Sequence, residues 1–194
     1  NGALMRIAPI LIPHLRAPSA ALWADAALAA RITHNDCAST AACVAWVHIL
    51  WQALGMSHPP EPHWWLDAYV EVARALEGDS RYEVRGGEHA GYAGRVWRFA
   101  RKRVAAAYER GLTVQAACDA WYSGAYLLET VPSVLYILMR HGADPEEAIV
   151  RAVNDTHDND TIAAIVGAAV GALHGRADLP SRWLDGLSGR TREA

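Results

Sequence analysis

The chain has 194 residues, 52% of them hydrophobic and 20% charged, with a formal net charge of -3. That is enough apolar material for one sizeable core and too little charge for a disordered chain or a general nucleic-acid binder. Three cysteines, Cys37, Cys43 and Cys118, form no C-x-x-C pair, which argues against a disulfide framework and for a reducing, cytoplasmic setting.

No apolar run reaches the ~18 residues needed to span a bilayer, and no secretory signal is present. The opening run, Asn1 to Ile10, reads as the middle of a domain rather than as a loosely held polar terminus. Residues 1–194 are therefore expected to be a single unit, the C-terminal portion of a larger domain.

Alanine, leucine and tryptophan dominate and β-branched alternation is scarce, which favours helices. Ser19 is a candidate N-cap for a helix to about Ala30. Ser39 or Thr40 is the candidate cap of a second, with Val44, Val47, Leu50, Trp51 and Leu54 at helical spacing. Gly55 to Pro62 holds three prolines and reads as a loop. A third helix covers about His63 to Leu76.

Gly78 to Gly94, with five glycines and Arg81, Glu83, Arg85 and Glu88 in its middle, reads as a long loop of the kind that is often functional or mobile. Helices follow from about Arg95 to Arg110, from a Thr113 cap to about Tyr122, and from Thr130-Pro132 to His141-Gly142. Asp144-Pro145-Glu146-Glu147 is a strong helix start, combining cap, proline and acids in the first turn, and that helix runs to Val153. The last begins near Asp160 and ends at His174-Gly175. Its glycines, Gly167, Gly171 and Gly175, fall four apart with Ala163 extending the row. Because glycine in mid-helix costs ~1 kcal/mol relative to alanine, the stripe predicts close approach of a neighbouring helix. In the tail, Leu179, Trp183, Leu184 and Leu187 are the residues able to fold back.

Between the last two long helices, Asn154-Asp155-Thr156-His157-Asp158-Asn159-Asp160-Thr161 packs carboxylates, amides and hydroxyls into eight residues. Apart from His157 these are hard oxygen donors, suited to Mg²⁺, Mn²⁺ or Ca²⁺ rather than Zn²⁺. Asp158 and Asp160 can turn toward one ion, with the Thr161 hydroxyl beside them; the plainer alternative is that one of the acids only caps the next helix. An EF-hand loop fails, because its twelfth position would be Val166 or Ala169. A haloacid-dehalogenase-type phosphatase is disfavoured, because no buried strand precedes the motif.

The stretch from Asp158 to Gly175 resembles the C-terminal signature of the ADP-ribosylglycohydrolase family, a D-x-D-[TS] metal motif running into an A-x-x-x-G-x-x-x-G-A-x-x-G helix. Asn1 to Arg6 with Pro9 resembles the family's G-N-G-A-x-M-R-x-x-P segment. Thr33-His34 is similar to its T-H motif, and Glu129-Thr130-Val131-Pro132 with Tyr136 to its E-S-V-P-x-x-x-Y segment. The resemblance implies an all-α, orthogonal multi-helix bundle around two divalent cations, Mg²⁺ or Mn²⁺. It implies Asp158, Asp160 and Thr161 as metal ligands, Asn1 and Gly2 on the ADP-ribose phosphates and ribose, and His34 as a substrate contact.

The implied activity is hydrolysis of the glycosidic bond between ADP-ribose and a modified acceptor, protein or small molecule, by a monomer that binds neither membrane nor nucleic acid. The family's T-D-D-T metal motif and its acidic catalytic residue find no counterpart in these residues, so the chain alone is expected to bind metal weakly and not to turn over. Two alternatives stand beside this: an inactive ADP-ribose-binding or structural member of the family, or an immunity protein against an ADP-ribosylating toxin.

Other signals have simpler readings. His58 and His63 flank a proline loop with no cysteine placed to complete a zinc site. His157 is expected to be exposed or to back a ligand. Arg95, Arg98, Arg101, Lys102 and Arg103 form a basic helix that reads as a solvated face, with an acidic partner or a phosphate-bearing substrate as the alternative. Trp46, Trp51, Trp64, Trp65, Trp97 and Trp121 read as core or helix-contact residues, and Tyr126 as a candidate for the cleft wall.

Overall fold

The computed structural model describes residues 1–187. The chain enters through a one-turn helix α1 (Gly2–Met5) and a 3-10 segment (Ala8–Leu15), then forms α2 (Ala21–Arg31), α3 (Cys37–Ala53) and α4 (Pro62–Leu76). A two-residue antiparallel ladder, β1 (Tyr82–Glu83) with β2 (Ala93–Gly94), interrupts the helices, pairing Tyr82 with Gly94. Helices α5 (Val96–Glu109), α6 (Val114–Trp121), α7 (Leu127–His141), α8 (Pro145–Asn154), α9 (Asn159–His174) and α10 (Ser181–Gly186) follow. The fold is all-α, as expected.

Two helices carry the core. In α7 every residue from Leu127 to Met139 is buried, and in α3 most residues from Ala38 to Ala53 are. A helix apolar on all sides must be surrounded. Accordingly α3 packs against α2, α4 and α9, while α7 packs against α4, α5, α6, α8 and α9. Trp46, Trp65 and Trp121 are buried, and Trp51, Trp64 and Trp97 pack against the core from its edge.

Several boundaries differ from the sequence reading. Helix α3 is capped by Asp36, which accepts from the Ser39 amide at 2.8 Å, so Ser39 and Thr40 lie inside the first turn. Thr40 turns its hydroxyl back to the Asp36 carbonyl at 2.9 Å. Helix α7 starts at Leu127, before Thr130, and carries Pro132 inside it, where the missing N–H costs one helical bond in an otherwise buried element. The caps Thr113 and Asp144 hold as expected, accepting from Ala116 and Glu147 at 3.1 and 3.0 Å.

The glycine stripe of α9 differs most. A Cβ built on Gly167 or Gly171 meets nothing within 4 Å among the described residues, so no described neighbour requires those glycines. In the tail, Trp183 and Leu184 are half-buried, while Leu187 stays 42% exposed.

Candidate functional site

A cavity of about 490 Å³ is lined by Arg85, Tyr122, Gly124, Ala125, His157 and Asp158. A groove of about 550 Å³ on the 3-10/α2 side is lined by Pro18, Ser19, Ala20, Leu22, Trp23 and Trp51 and offers no ionisable side chain. Other hollows also carry charged side chains, among them one lined by Asp67, Glu71, Arg74 and Arg101, but the first contains Asp158 of the acidic turn and is the candidate site.

Its floor is the turn between α8 and α9. Asp158 occupies the N-cap position of α9 but makes no side-chain cap bond. Its carboxylate instead accepts from the Asn1 side-chain amide at 2.6 Å. The same Asn1 amide donates to Thr130 Oγ1 at 3.0 Å, and the Thr130 hydroxyl donates to the Gly124 carbonyl at 3.2 Å. So the start of the chain, the first turn of α7 and the acidic turn before α9 converge on one network.

Gly2 follows Asn1 and abuts His34: a Cβ there would lie 3.2 Å from the imidazole Cε1. The His34 ring nitrogen Nδ1 pairs with Thr33 Oγ1 at 2.9 Å, and Arg6 donates to that hydroxyl at 2.6 Å. Burial, above all, holds the His34 imidazole below its ordinary pKa.

The other two expected ligands sit just beyond. Asp160 is exposed, and its carboxylate accepts from the Thr161 amide at 2.8 Å. Thr161 is buried, its hydroxyl 3.5 Å from Met5 Sδ. The structure thus brings Asn1 and Asp158 together and Gly2 and His34 together, and leaves Asp160 turned to its own backbone. Two carboxylates and a hydroxyl fit the chemistry of a hard divalent cation. They do not complete a shell of six or more oxygens, and no group of three or more His, Cys, Asp and Glu side chains able to hold a metal occurs among the described residues.

Glu129 and Arg85 build the opposite wall. Glu129, in the first turn of α7, is 1% exposed and receives Arg85 Nε at 3.0 Å and Nη2 at 2.8 Å. That two-pronged bond raises the Arg85 pKa. The guanidinium also lies 4.3 Å over the Tyr126 ring, which stacks on Tyr82 at 5.2 Å. Burial, above all, pushes the Tyr126 hydroxyl upward in pKa.

Tyr126 thus backs this wall rather than lining the cavity, and His157 lies on the floor with its ring 4.7 Å from that of Tyr122. Arg85, Tyr122 and Ser123 escaped the sequence reading. Only the glycine-rich character of 78–94 pointed toward Arg85, and nothing in local spacing pointed to the other two.

The sequence profile of the ADP-ribosylglycohydrolase family matches residues 1–194. An uncharacterised curated protein of Archaeoglobus fulgidus is 33% identical over 191 residues, covering 97% of this chain and 53% of the relative. The chain thus spans about half the length of the curated relative it matches. No solved structure matches.

Proposed function

The chain belongs to the ADP-ribosylglycohydrolase family, and from that premise we propose that it supplies one wall of a metal-dependent site that hydrolyses the bond between ADP-ribose and a modified acceptor. The observation that carries this reading is the 2.6 Å bond between Asn1 and Asp158 beside the cavity. Two family-like motifs, 157 positions apart, meet there.

In this reading Asp158, Asp160 and Thr161 hold two divalent cations, Mg²⁺ or Mn²⁺, together with donors from outside this set. The ions would template the sugar and lower the pKa of the attacking water. Asn1 orients the Asp158 carboxylate. Gly2, without a side chain, lets backbone amides approach the diphosphate, and His34, whose imidazole burial holds below its ordinary pKa, offers a hydrogen bond there. Asp160 must swing off the Thr161 amide to ligate. The substrate is an ADP-ribosylated protein or small molecule, and the setting assumed is a cytoplasmic monomer. No described helix is long and apolar enough to cross a membrane.

A second reading, a binder of ADP-ribose without turnover, is favoured by one observation: the Asp160 carboxylate is engaged by the Thr161 amide. Release of ADP-ribose from modified acceptors in Mg²⁺ or Mn²⁺ separates the two, measured in a protein covering the full length of the relative. Asp160→Ala is expected to abolish release at ordinary Mg²⁺. Full activity in that variant refutes the metal assignment, and ADP-ribose binding without release in the parent protein favours the binder.

A further inference from the structure

Asp158 makes no side-chain cap bond to its own helix; Asn1 holds its carboxylate, and the bonds that hold the backbone of its turn converge on one residue. Ser123, in the turn between α6 and α7, is fully buried. Its carbonyl accepts from the Asp158 amide at 2.9 Å. Its hydroxyl accepts from the His157 amide at 3.1 Å and pairs with His157 Nδ1 at 3.2 Å. Its own amide is tied to the Cys118 carbonyl at 3.0 Å, anchoring it to α6.

The residue before it, Tyr122, adopts φ 56 and ψ 74, left-handed geometry that side chains with a Cβ rarely take. Its ring meets His157 at 4.7 Å, and Cβ atoms built on Gly86 and Gly124 would lie 3.4 and 3.1 Å from it. Residues 122 and 123 thus form a mould for residues 157 and 158. Non-glycine strain of this kind persists where surrounding contacts over-determine it, and it clusters at functional sites.

We propose that Ser123 is a positioning residue, the buried peg whose backbone and hydroxyl bonds aim the His157–Asp158 turn so that the Asp158 carboxylate faces the cavity. The inference builds on the proposed function, because it assigns Ser123 to the same metal and sugar site. Groups that orient a ligand from behind commonly change metal affinity 10–100-fold when removed, without touching the ion.

Ser133 gives a matched control. It is also fully buried, but its hydroxyl accepts from Trp121 Nε1 at 2.9 Å and donates to the Glu129 carbonyl at 2.7 Å, with no bond to the acidic turn. The experiment titrates Mn²⁺ and ADP-ribose by calorimetry into the wild-type chain, Ser123→Ala, Ser123→Thr and Ser133→Ala. Ser123→Ala is expected to weaken binding roughly 10- to 100-fold, with partial rescue by threonine, which keeps the hydroxyl. Ser133→Ala is expected to lower the melting temperature comparably and leave binding unchanged.

Equal weakening by both alanines, or none in Ser123→Ala, overturns the proposal. Binding of neither ligand by a wild-type protein covering the full length of the relative removes the proposed function instead. Amide hydrogen exchange then decides the positioning role: the Asp158 and His157 amides should exchange faster in Ser123→Ala and not in Ser133→Ala, and unchanged protection in both overturns it.

Discussion

A carboxylate that is 1% exposed needs a partner, and Glu129 has a two-pronged one in Arg85. Removing one side of such a pair leaves the other uncompensated, which is costlier than the pair's net worth. With Arg85 itself half exposed, Arg85→Ala is expected to cost about 2–3 kcal/mol, a melting-temperature drop of roughly 5–10 °C for a chain of this size. Glu129→Gln in the same chain should recover part of it, and Arg85→Lys should not restore the fork. Thermal melts of the three variants check this, and a neutral Arg85→Ala contradicts it.

Asp36 behaves differently. Burial pushes its carboxyl up, but bonds from Ser39 and Tyr82 outweigh that and hold it below the usual aspartate value. A depressed pKa adds stability above the unfolded value of about 3.9 and loses it as pH falls through the folded one. The stability gap between wild type and Asp36→Ala, about 1 kcal/mol at neutral pH, should therefore shrink below about pH 4. Melts at pH 6 and pH 3 measure it.

Cysteine chemistry follows burial. Burial pushes the Cys43 and Cys118 thiols up to about 12, whereas Cys37 is exposed. One thiol should react with a disulfide reagent in the native protein and all three after denaturation.

At the scale of elements, glycine separates required backbone from tolerated backbone. Gly87 has φ +79, and a Cβ there would lie 2.3 Å from the Ala120 carbonyl oxygen, so Gly87→Ala must shift the β1–β2 loop away from α6 and loosen Arg85 with it. Gly167 and Gly171 lie in a regular helix with open space around the added methyl, so alanine at either is expected to stabilise the chain by up to ~1 kcal/mol. Destabilisation by Gly167→Ala would show that something beyond the described residues occupies that face.

The periodicity and caps that placed α4, α5, α6 and α8 within a few residues were readable because those signals are local. The start of α7 was not, since Thr130-Pro132 imitates an N-terminus and only burial of Leu127 to Val131 reveals the earlier turn. The 3-10 segment was hidden for the same reason: its prolines signal a break, and packing against α2 and α3 shapes it.

Across the whole molecule, the candidate site was half legible. Asn1, Gly2, His34 and Asp158 were named from motifs, and the fold joins Asn1 to Asp158 and Gly2 to His34. Arg85 was marked only by its glycine-rich loop, and Tyr122 and the buried Ser123 by nothing local, because these residues acquire meaning only through contacts with Glu129, His157 and Asp158 far along the chain.

The Asp158 turn is proposed to bind a hard cation together with ADP-ribose. Calorimetric titration of ADP-ribose into this chain, with Mn²⁺ and with EDTA, reads that directly. Metal-dependent binding, weak in the chain by itself and lost in Asp158→Ala, is expected. Binding that ignores both EDTA and the loss of Asp158 would contradict it.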